Sequence, residues 1–172
     1  MSAQSDASPQ TKRAAEQQPA NFQGLRTSVL SVDDISVTRL IVCRCGSSTG
    51  RLLAGQGSPD FPHLDPLTWV CSACGESHNF FDSERDGHDG RFGHGSSYDQ
   101  AAKQAEVGCP DCDVREMKVQ CSLIYNIEAS ELDEALGPES ADQLPDYFDG
   151  LEVTAACASC RREFNIGSWE LA

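Results

Sequence analysis

Residues 71–75 read Cys71-Ser72-Ala73-Cys74-Gly75. Two cysteines stand close together with a glycine behind them, the pattern of a tight turn that presents two sulfurs on one side. One such pair serves a metal, a redox reaction or a disulfide. Repetition decides between them. Cys43-Arg44-Cys45-Gly46, Cys109-Pro110-Asp111-Cys112 and Cys157-Ala158-Ser159-Cys160 are three further pairs, and of the nine cysteines only Cys121 stands alone.

Four pairs in order fit tetrahedral coordination. Zinc takes four thiolates at about 2.3 Å, and two pair-bearing turns laid side by side supply them. The residue behind the second cysteine must turn the backbone N–H groups toward the sulfurs, which favours a positive φ and therefore glycine. Gly46 and Gly75 stand there, whereas the later pairs have Asp113 and Arg161. Asp tolerates that conformation better than Arg. A redox pair normally occurs once, at a helix start, and in a reducing compartment paired cysteines bind metal more often than they form disulfides. The expectation is two structural Zn²⁺ ions, iron being the other metal that four cysteines accept. Cys43, Cys45, Cys71 and Cys74 form one set, and Cys109, Cys112, Cys157 and Cys160 the other. Glycine-rich sequence between the sets supports this sequential pairing over a crossed one. The first pair is one residue shorter than the rest, so His63 or His78 is an alternative to Cys45.

Each pair sits between strand-like runs. Val37-Thr38-Arg39-Leu40-Ile41-Val42 leads into the first, and Leu67-Thr68-Trp69-Val70 into the second. In these knuckles and their flanks, about half of the chain resembles the zinc-ribbon proteins, in which two knuckles on β-hairpins grip one metal. The resemblance implies structural zinc and two ribbons. It identifies a superfamily and carries no specific function.

The fold expected is mainly β with small α content: two zinc-ribbon-like units in tandem, the second with an acidic, partly helical insertion. The first ribbon covers 28–86, a Gly-rich linker and short helix 87–106, and the second ribbon 107–172, with the insertion at 128–149. Residues 1–27 are polar and read as a disordered tail. Met117, Val119, Cys121, Leu123, Tyr125 and Ile127 alternate with mostly polar residues, which marks a half-buried strand with Cys121 on its core face. Gly167 shifts the phase between Ile166 and Trp169, which predicts a bulge. Ser130 and Gly137-Pro138 bracket a short helix near 131–136.

The net charge is −14. Eight thiolates and two Zn²⁺ would take it to about −18. Such a surface repels a polyanion and attracts a basic protein. From Glu128 to Asp149 there are eight acidic residues and no basic one. Glu131, Asp133, Glu134 and Asp146, around the aromatic pair Tyr147 and Phe148, read as a docking patch for a basic partner. The Asp82-Ser83-Glu84-Arg85-Asp86-Gly87 opening resembles a calcium loop, but Gly93 holds the position that needs Glu. His88 and His94 read as loop histidines. Four-cysteine sites are closed to substrate, and no nucleophile triad, phosphate loop or His-Glu-x-x-His motif occurs. No run is apolar enough for a signal peptide or a membrane span, so a cytoplasmic location is expected. The sequence therefore reads as a non-enzymatic zinc-binding protein, an acidic protein-interaction module such as a bacterial immunity or inhibitor protein. The alternatives are a nucleic-acid or transcription-machinery ribbon, and an enzyme using the 82–94 loop.

Overall fold

The alternating stretch around Cys121 forms β7 (Glu116–Ile124), and both of its edges are used. The computed structural model describes residues 7–22, 24–55, 66–82, 85–86, 104–126 and 145–170. One edge of β7 pairs along its length with β8 (Gly150–Cys157), from Met117 opposite Cys157 to Ile124 opposite Gly150, and β9 (Glu163–Glu170) follows. The other edge takes two strands in succession. β2 (Ser36–Cys43) pairs through Ser36–Leu40, and β3 (Gly50–Ala54) through Gly50 and Arg51. Ten positions separate Leu40 from Gly50, while their partners Gln120 and Met117 are three apart. Seven extra residues therefore loop out, and that excursion is the first knuckle. β1 (Leu25–Val32) lies outside β2, while β4 (Leu67–Cys71) and β5 (Ser77–Phe81) extend beyond β3. All these strands belong to one antiparallel sheet, so the fold is mainly β with two four-cysteine sites in tandem.

Period-two burial follows the alternation. Val37, Ile41 and Cys43 of β2, Met117, Val119, Cys121 and Leu123 of β7, and Leu151, Val153 and Ala155 of β8 all point inward. The sheet curls over them until its far strands meet. Phe81 of β5 packs on Trp169 of β9, with ring centroids 5.2 Å apart. Where the sequence reads two ribbons side by side, the structure joins them through β7 and one continuous core.

The ribbon plan is nonetheless repeated. β9 bulges at Ile166, next to the glycine that signalled it, and β5 bulges at Phe80. Each bulge falls nine residues after the first cysteine of its unit's second knuckle, Cys157 or Cys71. Gly167 has a packing reason as well, since a Cβ there would stand 2.6 Å from the Trp169 ring.

Two expectations are corrected. The tail over 1–27 contains a docked helix, α1 (Pro9–Glu16), followed by a tight helical turn at Ala20–Phe22. Ser8 caps α1, its hydroxyl accepting from the Thr11 N–H at 3.1 Å, with Pro9 at the first position. Ala14 and Phe22 are fully buried, and Phe22 stacks on Phe80 at 6.2 Å. One phenylalanine, a cap and a buried arginine from β2 thus anchor a polar segment. Within the linker and short helix expected over 87–106, Ala105–Glu106 form instead a short strand, β6, paired with Ala54 and Leu53, while 87–103 lie outside the described residues. An open edge of β3 outweighs the helical propensity of those residues. The helix near 131–136 lies outside the described residues. Among the described residues, no helix is long and apolar enough to cross a membrane.

Candidate metal centres

Each knuckle is a turn closed by two backbone hydrogen bonds. Cys71 N–H donates to Glu76 O at 2.9 Å, and Gly75 N–H donates back to Cys71 O at 2.9 Å. The same pair of bonds recurs as Cys109 to Val114 and Asp113 to Cys109, and as Cys157 to Arg162 and Arg161 to Cys157. In the short first knuckle both bonds span one residue fewer, Cys43 to Ser47 and Gly46 to Cys43. The missing residue shortens the turn and keeps its wiring. The residue behind the second cysteine has positive φ in all four: 92° at Gly46, 77° at Gly75, 56° at Asp113 and 62° at Arg161.

A left-handed conformation costs a non-glycine residue about 1–2 kcal/mol. Arg161→Gly is therefore expected to stabilise the metal-loaded protein by about 1 kcal/mol, measured as a raised melting temperature. An unchanged or lowered value would mean that the arginine side chain offsets the strain.

The eight paired cysteines converge in the sequential sets of four. In both, the first cysteine of each knuckle is buried and the second exposed. Contacts run diagonally between knuckles. Cys43 and Cys74 sulfurs are 3.4 Å apart and Cys45 and Cys71 3.6 Å, while Cys109–Cys160 and Cys112–Cys157 are both 3.6 Å. A disulfide needs about 2.05 Å. A tetrahedron of thiolates around zinc puts its sulfurs about 3.8 Å apart. The spacing and the all-sulfur donor set fit a closed, four-coordinate structural site. Cys45 holds its place in the first set, and His63 lies outside the described residues.

Metal-free, the thiols share charge unevenly. The Cys160 N–H is the largest influence on Cys157 and, with the Ser159 N–H and the Cys160 and Cys112 thiols, holds it down at about 7 against burial. Burial works against Cys71 more strongly, yet the N–H groups of Cys74 and Ala73 and the thiols of Cys74 and Cys45 hold it at about 6. The Val114 N–H favours a thiolate at Cys112, but local desolvation and the sulfurs of Cys157, Cys160 and Cys109 push it up to about 12. Burial likewise pushes Cys43 up. In each cluster the backbone N–H groups of the second knuckle thus favour negative charge on that knuckle's first cysteine, Cys71 or Cys157.

The residues read as a docking patch are placed otherwise. Phe148 is buried edge-on against Tyr125, with centroids 6.5 Å apart, and Tyr147 is buried too. Asp146 accepts from the Ala20 N–H at 2.5 Å, and the Tyr147 carbonyl accepts from Gln10 at 3.0 Å. These aromatics complete the core, and the segment around them holds the N-terminal helix. Glu131, Asp133 and Glu134 lie outside the described residues, as do His88 and His94. Of the 82–94 loop, Asp86 is buried, and its carboxylate accepts from the Asp82 N–H at 3.0 Å and from Arg85 at 2.6 Å. Burial raises it above the usual carboxylate range despite Arg85. Cys121 lies in the core, where burial raises its thiol well above the ordinary range.

Sequence reasoning passed over Glu76 and gave His78 only as a substitute ligand. The structure sets both beside Cys43. The clusters fit a zinc-ribbon-like motif, while comparison with family models, curated proteins and solved structures returns no match.

Proposed function

We propose that the chain is a non-catalytic, zinc-structured protein whose acidic surface captures a basic protein, with the tip of the β1–β2 hairpin as the contact. An immunity or inhibitor protein against a basic toxin or nuclease is one concrete form. The observation that carries this reading is an exposed apolar group on an acidic chain. Val29, Leu30, Val32 and Ile35 are 39%, 51%, 40% and 42% exposed, with Asp33 and Asp34 among them. An apolar centre with an acidic rim suits a partner with an apolar centre and a basic rim. Several arginines are already engaged. Arg51 and Arg115 pair with Glu106, Arg162 stands 3.8 Å from Asp111, and Arg39 is buried. That weighs against a phosphate backbone as the partner.

The test is native mass spectrometry of the protein recovered gently from its own host, beside Leu30→Asp and Asp33→Asn/Asp34→Asn variants. A basic chain should accompany the wild type, leave as salt rises, and be retained roughly tenfold less by Leu30→Asp. An acidic companion, no companion, or one held equally by the Leu30→Asp variant would refute the reading.

A further inference from the structure

Beside the first cysteine cluster lies another set of ligand atoms. Cys43 Sγ is 3.4 Å from Glu76 Oε2, which is 3.6 Å from His78 Nε2. All three atoms lie within 4.8 Å of one another. A four-thiolate zinc at Cys43, Cys45, Cys71 and Cys74 uses neither Glu76 nor His78.

The imidazole is set up as a ligand. His78 Nε2 is buried and has no hydrogen-bond partner, a costly state for a polar atom. Its ring lies directly against Gly24, where a Cβ would stand 2.9 Å from Nδ1. The missing side chain at Gly24 thus leaves the space that the ring fills, with Nε2 3.6 Å from Glu76 Oε2. The charges point the same way. Four thiolates around Zn²⁺ leave two net negative charges, and Glu76 adds a third against Cys43. Neighbouring like charges of this kind are relieved by a cation. His78 is the one basic side chain paired with Glu76 among the described residues.

We propose that Cys43, Glu76 and His78 form a second divalent-cation site, which shares the Cys43 thiolate with the first cluster and takes zinc in exchange with solvent. The inference rests on the reading that the first cluster binds zinc. Sulfur and imidazole select zinc over magnesium or calcium. Three protein ligands leave the fourth position to water, so this ion is held less tightly than one closed in by four cysteines. The Glu76 side chain is 51% exposed, which gives the ion a path from solvent. A metal held here stands next to the first cluster and can pass to or from it through the shared sulfur.

The experiment is a zinc titration of the reduced full-length chain. It is read by native mass spectrometry and by competition with a chromophoric chelator. The wild type should take two ions tightly and a third weakly, the third leaving first. His78→Ala and Glu76→Gln should each lose the third ion while keeping the tight pair and an unchanged circular-dichroism spectrum. Cobalt(II) separates the remaining possibility. A tight-site spectrum that changes in His78→Ala would make His78 a ligand of the first cluster and overturn the proposal. So would a wild type that stops at two ions, or a third ion that survives both substitutions. A chain that takes no zinc at all fails on the underlying zinc reading instead.

Discussion

Stripping the metal from both cysteine clusters is expected to unfold the sheet, well beyond two loosened loops. The ligands end the strands that build it: Cys43 closes β2, Cys71 closes β4 and Cys157 closes β8. A structural zinc contributes about 10–16 kcal/mol of apparent binding free energy. A whole domain is stable by only about 5–15 kcal/mol. Losing either ion therefore takes away as much as the fold has in reserve. β7 carries strands of both units, so the loss is shared. Cys157→Ser should weaken zinc retention at Cys43, Cys45, Cys71 and Cys74 as well as at its own site. The measurement is zinc content with circular dichroism and tryptophan fluorescence during chelation, since Trp69 and Trp169 are both buried in the common core. Lowering the pH should act in the same direction, because protons compete with the metal for thiolate. A native spectrum after complete metal removal would refute the structural role. Two separate transitions would refute the coupling through β7.

Arg39→Leu is expected to release the N-terminal helix. Arg39 is buried in β2, and its guanidinium donates to the carbonyls of Ala14 and Ala15, to that of Gln17 at 2.6 Å, and to the Thr27 hydroxyl at 2.8 Å. It closes the C-terminal end of α1, where the last carbonyls have no partner of their own. Burial lowers its pKa, and among the described residues it is carbonyls, with no paired carboxylate, that face the charge. Leucine would leave those carbonyls without a donor, at about 1–3 kcal/mol for each one kept buried. Undocking α1 avoids the penalty, since water can then reach them. The expected outcome is a destabilisation of about 3 kcal/mol together with rapid proteolysis within residues 9–22. Zinc content should stay unchanged. Arg39→Lys should rescue in part, because an ammonium donates but lacks the planar fork. Equal protease resistance in the wild type and Arg39→Leu would rule this account out.

The two four-cysteine clusters were legible because coordination chemistry fixes the spacing of cysteines within a turn. The four positive-φ positions were legible for the same reason, down to the strained Asp113 and Arg161. Period-two alternation placed Cys121 inside, and Gly167 announced the bulge at Ile166. Alternation marks the buried face of a strand and leaves its neighbours open. The sharing of one β7 edge by β2 and β3 was therefore hidden. The aromatics at 147–148 were misread because acid around them suggests solvent, whereas the core beneath takes both rings. The start of α1 was written at Ser8-Pro9, but its end is capped by Arg39, 22 residues beyond Gln17. The Glu76–His78 pair gains meaning only when β5 folds back beside the first knuckle.

The shared β7 edge also governs how the chain gets to its fold. Thr38 meets Ser122 across 84 residues of sequence, a contact of the slow-forming kind. Ions at the two cysteine clusters would close much shorter circuits, since Cys43 reaches Cys74 across 31 residues and Cys112 reaches Cys157 across 45. Loop-closure entropy grows with the logarithm of length, so each clip formed first shortens the search for the long one. Ions bound at the two clusters would thus favour an order of assembly: two local circuits close, and β7, which lies inside the second circuit, then joins both halves.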